Sequence, residues 1–90
     1  MKRRNIAYDN SFHKQFKKVV KNNKELEKKI ISILEMLQVD IFDSKLATHK
    51  LSGELKKYYA CKISFNLRIL FYTDDDFVYL IDIGSHDDVY

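Results

Sequence analysis

The sequence predicts an α+β fold: an N-terminal short strand and a helical hairpin packed on one face of a small antiparallel β-sheet. Three observations carry that expectation. The first forty residues hold two apolar stripes of helical period, the last third holds three runs of β-branched and aromatic residues of strand length, and the 90-residue chain has two glycines and no proline to interrupt them. A chain of this length makes one domain, residues 1–90, because its core is already near the lower limit of comfortable stability. An order of strand, helix, helix and then three successive strands is that of a meander with its helices on one side, which leaves the other side of the sheet free to act.

Taken in order, Asn5-Ile6-Ala7-Tyr8 has the composition of a short strand, closed by the cap formers Asp9-Asn10-Ser11. Phe12, Phe16, Val19 and Val20 then fall on one face of a helix, with Lys14, Lys17, Lys18 and Lys21 on the other. Asn22, with Glu25 three residues on, resembles a capping box opening a second helix. That helix is striped by Leu26, Ile30, Ile33, Leu34 and Leu37 and widened by Ile31 and Met36. From Val39 to Lys50 the periodicity lapses, and the segment reads as a loop with one helical turn. Gly53 marks a turn before the strand Tyr58 to Ile63, in which alternation places Lys62 on the face opposite Cys61. Ser64-Phe65-Asn66 is a tight connection, with Asn66 suited to positive φ. The runs Leu67 to Tyr72 and Phe77 to Ile83 form a hairpin around Thr73-Asp74-Asp75-Asp76.

Charge is unevenly spread. Residues 1–30 carry ten Lys or Arg against three acids, whereas the other sixty carry six against ten. A basic half suits a polyanionic partner, although lysine-rich helix faces are as often simply solvated. The single cysteine, Cys61, has no disulfide partner within the chain and reads as a small buried hydrophobe in a reducing compartment. No apolar run follows Lys2-Arg3-Arg4 and none approaches membrane-spanning length, so the expectation is a soluble, cytoplasmic protein.

The three histidines, at 13, 49 and 86, have no paired metal-ligand spacing. There is no phosphate loop, dinucleotide fingerprint or nucleophile elbow, and no cofactor is expected. What remains is a set of cations and proton carriers: His49, Lys50, Lys62, Arg68, His86 and Tyr90. His13 is assigned to the helix surface. Arg68 interrupts an apolar strand, where an unpaired guanidinium is costly; it either meets an anion or forms an ion pair with Asp82 or a tail aspartate.

The segment His49 to Tyr58, the strand Leu67-Arg68-Ile69-Leu70-Phe71-Tyr72 and the ending Ile83-Gly84-Ser85-His86-Asp87-Asp88-Val89-Tyr90 together resemble the RelE/ParE superfamily of bacterial toxins, most of all its YafQ-like branch. The resemblance implies a toxin of a type II toxin-antitoxin system, acting as a ribosome-dependent, metal-independent endoribonuclease. In such enzymes the 2′-hydroxyl of the message attacks the adjacent phosphorus, which calls for a base, an acid and cations on the phosphorane. It further implies catalytic roles for four residues. His86 is the first choice for general acid, His49 is base or phosphate ligand, and Arg68 and Lys62 are phosphate or oxyanion ligands. Lys50, Lys17 and Lys18 are expected to bind RNA, and Tyr90 to stack on a base. The branch usually carries aspartate and tryptophan where this sequence has Asn66 and Leu67, so a carboxylate base is missing from that position.

Two other readings stand beside this one. A ParE-like inhibitor of DNA gyrase would cut nothing, and the combination of His49, Arg68 and His86 argues against it. An inactive nucleic-acid-binding module would use the basic helices alone, with salt-sensitive affinity. The expected partners are an acidic antitoxin, the ribosome and mRNA.

Overall fold

The computed structural model of the chain describes residues 3–53 and 57–85. The expected roles of His86 and Tyr90 fall outside them. The described chain runs β1 (Asn5–Tyr8), α1 (Asn10–Val20), α2 (Lys24–Val39), a 3₁₀ turn (Ser44–Leu46), β2 (His49–Lys50), β3 (Tyr59–Lys62), β4 (Leu67–Thr73) and β5 (Phe77–Ser85). The strands form one sheet in the order β1-β5-β4-β3-β2, with the two helices packed on it, so the α+β architecture is as expected.

The sheet is mixed, which corrects the expectation of an antiparallel one. β1 runs parallel to β5, with Asn5 opposite Phe77 and Tyr8 opposite Leu80, whereas β2, β3, β4 and β5 pair antiparallel. The physical reason is the long crossover between them, through both helices and then β2, β3 and β4, which lets the first strand lie alongside the last in the same direction. In the segment Val39 to Lys50 the expected helical turn is the 3₁₀ turn, capped by the Asp43 carboxylate accepting from Lys45 N at 2.9 Å; the correction there is a two-residue strand, β2, at the sheet edge.

Both helices start on side-chain caps. The Asp9 carboxylate accepts from Phe12 N at 2.9 Å, and the Asn23 side chain accepts from Leu26 N at 3.0 Å. Asn23, not Asn22, is therefore the cap of α2. Asn22 instead takes φ 58°, the left-handed turn between the helices that asparagine tolerates. Phe12 and Val20 from α1, and Ile30, Ile33 and Leu37 from α2, are buried against Cys61, Ile63, Ile69, Phe71, Val78, Leu80 and Ile83 of the sheet. Ile31, expected to widen the stripe, is exposed; Met36 packs against the core.

A turn and a bulge order the long strands. At the β4–β5 turn, Asp74 Oδ1 accepts from Asp76 N at 2.9 Å and Phe77 N at 2.8 Å, while its Oδ2 accepts from the Tyr79 hydroxyl at 2.6 Å. Within the pairing, Leu70 faces Asp82 and Phe71 faces Leu80, so Ile81 is an extra residue, a β-bulge. The bulge re-aims the strand: Val78 and Leu80 face the helices before it and Ile83 after it, and Asp82 is turned to the outer face. No helix among the described residues is long and apolar enough to cross a membrane.

Candidate active site

Residues directly opposed in an antiparallel pair project from the same face, so the register sorts the candidate side chains. Lys62 lies opposite Arg68, and Arg68 opposite Gly84. Two residues along, His49 lies opposite Ala60, Ala60 opposite Leu70, and Leu70 opposite Asp82. Cys61 and Ile69, between these rows, belong to the helix-side core. His49, Lys62 and Arg68 therefore share the outer face, with Lys62 on the face opposite Cys61 as the alternation predicts. Strand spacing puts the Cβ atoms of Lys62 and Arg68 about 5 Å apart, and His49 on a diagonal about 7–8 Å from Lys62.

Lys50 falls elsewhere. It pairs with Tyr59, which pairs with Phe71 of the core, so it shares the helix side of the edge strand. Lys17 and Lys18 are exposed on α1, in the helical layer across the sheet from Lys62 and Arg68. The structure thus brings together three of the catalytic candidates and separates Lys17, Lys18 and Lys50 from them.

Arg68 is half-buried, and its Nη1 donates to three carbonyls of the β3–β4 turn: Ser64 O at 2.6 Å, Phe65 O at 3.2 Å and Leu67 O at 3.2 Å. Among the described residues its partners are these backbone carbonyls and not Asp82; the alternative partner, a tail aspartate, lies outside them. These bonds hold the Ser64-Phe65-Asn66 connection without positive φ at Asn66; among the described residues only Asn22, Ala47 and Gly53 adopt it. Every bond Arg68 makes to a described residue uses Nη1. The Asp82 carboxylate accepts from Ile83 N at 2.8 Å.

His49 is exposed, with Nδ1 3.5 Å from Ala47 O. Beside it, the Thr48 hydroxyl is buried without a hydrogen-bond partner among the described residues, a local cost in stability at the edge of the site. Cys61 is fully buried, and desolvation pushes its thiol up to about 12 despite the lowering influence of the Ile69 backbone and the Arg68 charge. It is a packed, protonated side chain with no part in nucleophilic chemistry near neutral pH.

The outer face is less open than the sequence suggested. Ala60 and Leu70 are 0% and 7% exposed although they lie outside the main core. Toward the other end, Tyr72 stacks on Tyr79 with centroids 4.6 Å apart, Tyr58 meets Tyr72 edge-on, and the Lys57 ammonium sits 5.1 Å from both the Tyr58 and Tyr72 rings. A feature that the sequence reading passed over lies at the β3–β4 turn, where Phe65 is 90% exposed beside Lys62. Its signal was present: a phenylalanine in a three-residue connection has no core to reach.

A family model described as the bacterial toxin of type II toxin-antitoxin systems, YafQ, matches residues 4–90. The chain belongs to the YafQ toxin family. Among solved structures, the YafQ family member in the Escherichia coli DinJ-YafQ toxin-antitoxin complex superposes with a TM-score of 0.79 at 17% identity, covering 98% of each chain. The YoeB dimer from Staphylococcus aureus gives 0.80 at 24% identity, and the YoeB-YefM complex from the same organism gives 0.78 at 25%; each covers 93% of this chain and 98% of the other. A search of curated proteins finds no match. The resemblance to RelE-like and YafQ-like toxins read from the sequence is borne out, and the protein is a toxin of a type II toxin-antitoxin system.

Proposed function

We propose that this YafQ-family toxin is a ribosome-dependent endoribonuclease that cuts mRNA at the outer face of its sheet. The observation that carries the reading is the directly opposed pair of cations, Lys62 and Arg68, on neighbouring strands. Like charges in that position destabilise a sheet, so they make sense as a ready-made anion site. A scissile phosphate placed there would meet the Arg68 fork, held in place by its turn carbonyls, and the Lys62 ammonium.

The chemistry follows from these groups. A base removes the proton of the 2′-hydroxyl, whose oxygen attacks the adjacent phosphorus; the bond to the 5′-oxygen breaks, and an acid protonates that leaving oxygen. The products are a 2′,3′-cyclic phosphate, or the 3′-phosphate after hydrolysis, and a 5′-hydroxyl. His49 is the proposed base or phosphate ligand and His86 the proposed acid; an imidazole can both accept and donate a proton, which suits either role. Lys62 and Arg68 take the charge that builds on the phosphorane, and Tyr90 stacks on a base of the message. Lys50, Lys17 and Lys18, on other surfaces, are proposed to contact ribosomal RNA. The protein, a single domain, would act in the cytoplasm on translating ribosomes. Its proposed regulator is an acidic antitoxin, a partner suited to the basic helical half and supported by the antitoxin-bound structures among the relatives.

The test is primer extension on an mRNA translated in a cell-free bacterial system, with the wild type, Arg68→Lys and His86→Ala. Cuts at codon-specific positions that require ribosomes, weaken by about a hundredfold with Arg68→Lys and vanish with His86→Ala are the expected result. Intact message with the wild type overturns the reading and makes inhibition of gyrase supercoiling the next assay.

A further inference from the structure

β2 ends level with Ala60, so beyond that point β3 becomes the edge of the sheet and Lys62 overhangs it. On the far side of this edge lies a groove of about 580 Å³ between α2, the 3₁₀ turn and the β3–β4 connection. Its polar lining is Lys29 and Ser32 from α2, Lys45 from the 3₁₀ turn, and Lys62 and Ser64 from the hairpin, and Phe65 lines it as well. The described lining contains three lysines and no carboxylate, although acids make up 13 of the 90 residues. Lys62 belongs both to this groove and to the row with Arg68, so the two basic surfaces are continuous around the sheet edge.

Phe65 is the most exposed of the large hydrophobic side chains described. It fills no core position, and the turn it occupies is held by Arg68 through the carbonyls of Ser64, Phe65 and Leu67, which fixes the backbone from which the ring projects. A rigidly mounted ring beside spaced ammonium groups and two hydroxyls matches the needs of a single strand of nucleic acid, whose bases stack while its phosphates are neutralised. A duplex offers no free base face to such a ring.

We propose that this groove binds a second stretch of single-stranded RNA, with a base stacked on Phe65 and phosphates on Lys29 and Lys45, extending the strand held at Lys62 and Arg68. The inference rests on the proposed function only for identifying that strand as message. Its test needs neither ribosomes nor cleavage. Fluorescence anisotropy is measured for the full chain with a labelled single-stranded oligoribonucleotide, 2′-O-methylated throughout so that no 2′-hydroxyl can attack.

Phe65→Ala weakens binding about tenfold with an unchanged salt slope, and Phe65→Trp restores it. Lys29→Ala combined with Lys45→Ala flattens the slope of log K against log salt by about 1.4, the value for two phosphate contacts on a single strand. Wild-type affinity in Phe65→Ala, an unchanged slope in the lysine double variant, or equal binding of a duplex of the same length overturns the proposal. All three side chains are exposed, so folding is not at stake. Intact message in translation alongside Phe65-dependent oligonucleotide binding would remove the nuclease reading and leave this one standing; the reverse pattern would do the opposite.

Discussion

If the Lys62–Arg68 pair is kept for an anion, the sheet is less stable for having it, and removing one charge stabilises the fold while disabling the site. Lys62→Gln is the informative substitution because it keeps length and polarity. Lys62 is exposed and lies directly opposite Arg68, and the side chains put their charges roughly 6–8 Å apart. In a water-like dielectric that repulsion is about 0.6 kcal/mol. For a domain of this size the expected gain in melting temperature is about 2–5 °C at low salt. The gain disappears in 1 M salt, where charges are screened beyond about 3 Å. Circular dichroism melts of both proteins at the two ionic strengths provide the measurement, and primer extension on the same samples shows cleavage reduced about a hundredfold. A variant less stable than the wild type at low salt, or a gain that survives high salt, would refute the argument that like-charge repulsion marks this site.

Four further outcomes follow from the packing. Leu37 is fully buried at the helix–sheet interface, so Leu37→Ala costs about 3 kcal/mol, read as a fall in urea midpoint at unchanged m-value. Cys61, with its thiol pushed up to about 12 by burial, remains protonated at pH 8 and reacts with Ellman's reagent only as fast as the protein unfolds; prompt labelling contradicts the buried assignment. The Tyr79 hydroxyl, followed by the Asp76 and Phe77 amides, lowers the Asp74 pKa. The stability this adds is complete above about pH 4 and is lost as the pH falls through the lowered value, so the difference in urea midpoint between wild type and Tyr79→Phe narrows in acid. The same bond, the largest influence on Tyr79, raises its hydroxyl to about 12. That contribution is complete below about pH 10 and lost as the pH rises toward 12, and ultraviolet titration shows one late tyrosine that returns to the ordinary range in Asp74→Asn.

Local signals in the sequence were read correctly where one physical effect dominated. The apolar stripes of α1 and α2, a helix cap within Asp9-Asn10-Ser11, the β4–β5 hairpin and the placement of Lys62 away from Cys61 all follow from period and composition. The misses in the sheet share a cause, since each depends on a partner far away in the chain. β2 is two residues long and exists only because Ala60 and Tyr59 lie beside it, so His49 and Lys50 carried no periodicity of their own. The direction of β1 is set by β5, and the Ile81 bulge by register against β4. Strict alternation from Val78 and Leu80 would have sent Asp82 into the core. Of two adjacent asparagines, Asn23 caps α2 because Asn22 is the one that takes the left-handed turn, a choice composition does not rank. At the candidate site, residue types pointed to Arg68, Lys62 and His49, but only register put them on one face. Phe65 and the lysines of α2 and the 3₁₀ turn became a group through the folding of the sheet edge.

The parallel pairing of β1 with β5 also sets when this protein exists as a folded object. During synthesis the strand made first in the sheet waits for the strand made last: Asn5 finds its neighbour only when Phe77 has emerged, after both helices and three other strands. Helices form early and locally, whereas strand pairing across most of a chain is slow and comes late. Arg68 likewise has no opposite residue on β5 until Gly84 arrives. A ribosome making this toxin therefore carries an unfinished sheet until β5 has emerged.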